Sequence, residues 1–147
     1  MSRKPRSEFA RDVLAKDELL DFVLRSHLHI ERWLDELLTR EALRTGKIFN
    51  REKHRFSWKV TACEATRVVT ADLAAVIRKV NDLRNNYAHV RGYKPSRREI
   101  AELQRAFREM ERPFYIPLVY PSRRNLCFAL ASLCGYLQRM ASVLEVA

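Results

Sequence analysis

From Asp17 to Leu43, apolar residues return at helical spacing without a break. Leu20, Val23, Leu24, His27, Ile30, Leu34, Leu37 and Leu38 fall where one face of an α-helix would carry them. A long helix with one apolar face must bury that face against other elements, so this period sets the fold class. Thr45-Gly46 ends it, because glycine takes the left-handed closing conformation at little cost.

The rest of the chain repeats the pattern. A basic connector, Lys47 to Arg55, carries Phe49 and leads to Phe56 as anchors, and a second helix is expected over Ser57 to Val68, with Ser57 as its cap. Thr70 can cap a third helix running to about Val90, whose stripe is Leu73, Val76, Ile77, Val80, Leu83 and Tyr87. Gly92 and Pro95 close that stretch. Ser96-Arg97-Arg98-Glu99 matches a capping box and opens a fourth helix that ends before Pro113. Phe114 to Pro121 contains Pro117 and Pro121 and reads as an extended linker, and Ser122 starts a last helix through about Leu144. No segment alternates as a strand. The expectation is all-α: an antiparallel bundle of four to five helices, formed as one domain over residues 1–147, with residues 1–16 as a basic arm or helix extension.

Charge narrows the function classes. Twenty-eight Lys and Arg face 18 Asp and Glu, a formal net charge of +10. Such an excess suits a polyanion, because each neutralised phosphate releases condensed counterions. Cys63, Cys127 and Cys134 lack close metal-ligand spacing, and apolar helical surroundings point to packed thiols in a reducing compartment. Met1 to Arg6 is basic but is followed by Ser7, Glu8 and Arg11, not by an apolar run. The longest apolar stretch, about Leu126 to Leu137, is too short to span a bilayer. A cytoplasmic protein without a membrane partner is expected.

The chemistry-bearing stretch is Asn81-Asp82-Leu83-Arg84-Asn85-Asn86-Tyr87-Ala88-His89. With about 100° per residue, Arg84 lies on the shoulder of the apolar stripe, while Asn81, Asn85 and His89 form a separate ridge. His89 then points nearly opposite the core, near the helix end whose dipole favours a cation. Arg84 has a structural use available: His27 and Glu31, one turn apart on the first helix, could hold it in a partly buried polar cluster. Beyond the motif lie Arg91, Lys94, Arg97, Arg98, Arg105 and Arg108 against Glu99 and Glu102, with Tyr93 among them, a track that could hold phosphates and stack a base. His29 and Trp33, also one turn apart, form a second patch.

The run NDLRNNYAH resembles the HEPN signature, an arginine followed by a histidine after several residues, with asparagine beside the arginine. Arg84, Asn85 and His89 carry the match, and the long first helix SHLHIERWLDELL is similar to the family's layout. The motif covers about nine residues, and the architectural resemblance most of the chain.

The resemblance implies a dimer whose two motifs meet in one cleft; the His29/Trp33 patch would then lie at the dimer interface. It implies metal-independent cleavage of RNA by 2′-hydroxyl attack, with no cofactor. His89 would carry the proton, Arg84 would stabilise the phosphate charge, and Asn85 would orient either the histidine or the phosphate. Arg91, Tyr93, Lys94, Arg97 and Arg98 would bind the RNA, and His27 and Glu31 would support Arg84. A toxin or phage-defence effector, with an antitoxin or other protein partner, fits that family. So does the alternative, a non-catalytic regulator or scaffold of the mannitol-repressor type. Toxin members often carry a tyrosine two residues after the histidine; here that position is Arg91.

Overall fold

The computed structural model describes residues 17–110 and 123–146. The expected arm at 1–16 and the proline-containing linker at 114–121 lie outside the described residues. Among the described residues every regular element is helical: α1 (Glu18–Arg44), a 3₁₀ turn (Arg51–Lys53), α2 (Phe56–Ala65), α3 (Ala71–His89), α4 (Arg97–Glu109) and α5 (Arg123–Val146). None of these helices is long and apolar enough to cross a membrane.

Local chemistry explains most of the boundaries. Asp17 caps α1 by accepting the Leu20 N–H at 3.1 Å. Ser96 and Glu99 form the expected reciprocal capping box at the start of α4. Gly46 and Gly92 both adopt positive φ, where the chain leaves α1 and α3. Two caps differ from expectation. Helix α2 begins at Phe56 after Arg55, so Ser57 lies inside it, and Thr70 precedes α3 without a side-chain bond. Helix α2 also stops at Ala65, three residues early, because Arg67 enters the left-handed region at φ 59°.

Helices α1, α3, α4 and α5 close a ring of packing contacts, and short α2 sits against α1 and α3. The core holds Val23, Ile30, Leu34, Val60, Ile77, Val80, Phe107, Leu130 and Leu133. Expected and observed faces of α1 differ by a small rotation: Leu19 and Ser26 are buried, whereas Leu24 is 40% exposed. Helix α5 lies along that side, where the Cys134 thiol reaches the Ser26 carbonyl at 3.9 Å.

The helix directions correct a second expectation. Helix α3 runs against α1, since His27 meets Asn81 while Asp17 and Leu20 lie beside Tyr87 and His89. Helix α5, however, runs parallel to α1. Asp17 and Phe22 face Arg123 and Phe128, and farther along Arg40 donates to the Ala141 carbonyl. The stretch from Glu109 to Arg123 is far longer than a helical hairpin needs, so nothing obliges α5 to run against α4. The starts of α1, α4 and α5 therefore gather at the end of the bundle where α3 terminates. Helix α5 opens there on Arg123 and Arg124, with no acidic residue in its first turn.

Candidate functional site

Helix α3 carries the motif because its stripe is deeply buried as far as Leu83, while its last turn emerges from the bundle. Arg84 is half-buried on the shoulder of that stripe. Its Nη1 donates to Asn85 Oδ1 at 3.2 Å, and among the described residues it meets no carboxylate. His89 is the last helical residue and is exposed; Val90 caps the end through its N–H to the Asn86 carbonyl at 2.9 Å.

The two residues expected to support Arg84 have other partners. His27 is buried, stacks on Phe56 at 4.1 Å and donates from Nε2 to Asn81 Oδ1 at 2.9 Å. Burial pulls its pKa below the ordinary value; the Asn81 bond opposes this, nearby Arg84 reinforces it, and Glu31 opposes it weakly. His27 is thus a neutral ring pinned between α2 and α3. Glu31 turns instead to Lys59 Nζ, at 2.8 Å.

That lysine is a residue the sequence reading did not single out. It is only 3% exposed, and Asp35 Oδ1 also lies 2.9 Å from Nζ, an ion-pair contact outside hydrogen-bond geometry. Burial alone would lower the Lys59 pKa, but the two carboxylates outweigh it and the net shift is upward. Its position was a signal: Phe56, Lys59, Val60 and Cys63 are helically spaced on one face.

The end of α3 forms one wall of an open hollow of about 400 Å³. His89, Arg91, Tyr93 and Lys94 line it from one side, and Asp17 and Leu20 from the other. Arg84 and Asn85 do not line it. Of the expected RNA track, Lys94, Arg97 and Arg98 are exposed, and Arg98 pairs with Glu102 at 3.0 Å. Tyr93 is held at both ends. Its ring meets Tyr87 edge-on at 5.1 Å, and its hydroxyl donates to Glu99 at 2.8 Å. Burial and the Glu99 bond both raise the Tyr93 pKa, while the Ser96 backbone bond and Tyr93 lower that of Glu99. Tyr87 has its hydroxyl enclosed with no hydrogen-bond partner among the described residues, and burial raises its pKa strongly.

The remaining expected residues divide similarly. His29 is exposed, while Trp33 is half-buried against the core with the Arg32 guanidinium 5.5 Å above its ring. Cys63 is fully buried, and desolvation pushes its thiol up to about 12. Burial also raises Cys127 and Cys134. Among the described residues no group of three or more His, Cys, Asp or Glu side chains is arranged to hold a metal ion.

The arrangement supplies an exposed imidazole at a helix end, a cation without a carboxylate partner among the described residues about 140° away on the same helix, and a cationic rim. One phosphate cannot readily meet both groups of a single helix. Compared with protein-family models, with curated proteins and with solved structures, the chain matches none.

Proposed function

We propose that the chain is a metal-independent endoribonuclease of the HEPN type, acting as a homodimer with Arg84 and His89 at a shared cleft. The observation that supports this best is that folding uses neither group fully. Among the described residues Arg84 bonds only the neighbouring Asn85 amide, and His89 stands exposed at the helix end. The sharing follows from their angular separation, since two copies can offer both groups to one phosphate more easily than one can. Exposed Leu24 and Leu28, at 40% and 67%, share the side of α1 that carries His27 toward α3 and suit a second copy there.

In the proposed reaction His89 takes the proton of an RNA 2′-hydroxyl as its oxygen attacks the adjacent phosphorus. The bond to the 5′-oxygen breaks, and the proton passes to that leaving oxygen, giving a 2′,3′-cyclic phosphate and a 5′-hydroxyl. Arg84 stabilises the non-bridging oxygens with its planar fork, and Asn85 orients that fork. Arg91, Lys94, Arg97 and Arg98 hold the flanking phosphates, with Tyr93 beside them. A cytoplasmic toxin or phage-defence effector, restrained by a protein partner, is the cellular role that belongs to this reading.

The test is cleavage of single-stranded RNA in EDTA with a cyclic-phosphate product. His89→Ala and Arg84→Ala should each lower the rate at least ~100-fold. A mixture of the two inactive variants should regain part of the activity, because a mixed dimer keeps one intact pair. Cleavage that survives both substitutions would falsify the mechanism. A second reading, a non-catalytic regulator of the mannitol-repressor type, draws on the motif asparagines: Asn81 holds His27 and Asn85 holds Arg84. It predicts no cleavage by the wild type, and an Arg84→Ala protein that melts earlier.

A further inference from the structure

A second basic region lies on the connector between α1 and α2. Lys47, Arg51, Lys53 and Arg55 are all exposed there against one acid, Glu52. None of the four is paired with a carboxylate among the described residues, whereas Arg25, Arg44, Arg78 and Arg98 each are. The connector is folded back by rings. His54 lies flat on Trp58 with centroids 3.6 Å apart and planes 13° from parallel. Phe49 is nearly parallel to both, at 5.9 and 6.2 Å. Those near-equal distances put Phe49 beside the pair and not above it, so the rings make a broad platform instead of a column.

The platform stands on the outer side of α2. Phe56, Lys59, Val60 and Cys63 turn inward, and Trp58 lies about 150° from the centre of that buried face. Trp58 accordingly keeps 44% of its surface exposed, an unusual use of tryptophan if holding the connector were its whole purpose. A tryptophan left 44% exposed in a ring cluster, beside cations that meet no carboxylate among the described residues, fits a ligand with planar faces and regularly spaced negative charge. An acidic peptide would use the charges but leave the rings without a partner.

We propose that Trp58, with His54 and Phe49, is a stacking platform for single-stranded nucleic acid, and that Lys47, Arg51, Lys53 and Arg55 hold its phosphates. The site concerns binding and does not depend on cleavage at Arg84 and His89.

The experiment titrates the full chain into fluorescein-labelled oligothymidine, which lacks the 2′-hydroxyl, and into oligouridine in a His89→Ala background. Anisotropy should rise with at least one of them, and Trp58 emission should be quenched in a Trp33→Phe protein. Trp58→Ala should weaken binding by roughly fivefold or more, while Trp58→Phe should keep most of it. Lys47→Glu with Lys53→Glu should weaken binding and flatten its salt dependence. Binding to neither strand overturns the proposal. So does unchanged affinity in folded Trp58→Ala, or equal competition by polyglutamate, because charge alone would then account for the contact.

Discussion

Lys59 and Arg84 are both cations that approach the polar side of α1 from a neighbouring helix, yet they are held in opposite ways. Lys59 is enclosed between Glu31 and Asp35 and couples α2 to α1. Among the described residues Arg84 reaches only an amide on its own helix. A buried cation with two carboxylates is a folding device, because removing it strands the better buried one, Asp35, without its counter-charge. A half-buried cation with one weak partner is free to meet a ligand. The difference shows why burial alone is a poor guide to function. The partners of a charge, and whether folding already satisfies it, say more.

The largest effect that would test this contrast is on stability. Lys59→Ala should cost about 3 kcal/mol in urea unfolding, near the lower end for a broken buried pair because Glu31 is partly exposed. Arg84→Ala should cost less than about 1 kcal/mol. Equal losses would remove the distinction between the two cations. Next in size, Asp35→Asn should cost about 2 kcal/mol and Glu31→Gln only about 0.5, since the better buried carboxylate depends more on Lys59. The reverse order would mean that Glu31 carries the pair.

Acidification probes the neutral ring beside Arg84. Because burial lowers the His27 pKa, the unfolded imidazole binds its proton at a higher pH than the folded one. The contribution of the neutral ring is therefore complete above about pH 6.5, the unfolded value, and is lost as pH falls below it through the lower folded value. Melting temperature should drop between about pH 7 and pH 5, and His27→Gln should make that slope shallower. An unchanged slope would show that His27 does not titrate with unfolding. The smallest effect belongs to Tyr87→Phe, which removes an enclosed hydroxyl without a hydrogen-bond partner among the described residues and should shift stability by no more than about 0.5 kcal/mol, toward gain. A loss above 1 kcal/mol would reveal a bond to that hydroxyl.

Helix number and approximate extent were readable from the chain because Leu, Ile and Val recur at one period and Ser96 with Glu99 is a local signal. The direction of α5 was not readable, since it depends on which end of the bundle the chain returns to, and no short-range pattern encodes that. Lys59 was legible in principle from its place on an apolar face, but its two carboxylate partners lie on another helix. At the motif, the exposure of His89 follows from helical phase. The fate of Arg84 did not, because Glu31 had two cations within reach of α1 and the fold gave it to Lys59. The ring platform escaped a periodicity argument altogether: it is assembled by a connector that has no period.

Helix α5 begins with two arginines where its own dipole is positive, at the end of the bundle shared with His89. Like signs at a helix start oppose the first turn, by roughly 0.3–1 kcal/mol for each charge. On the proposed reading, a polyanion held at that end would relieve this repulsion, so its binding and the local order of α5 would be thermodynamically linked. Whatever tightens one tightens the other by the same free energy. Hydrogen exchange in the first turn of α5 would then report occupancy of the shared end, without any substrate being turned over.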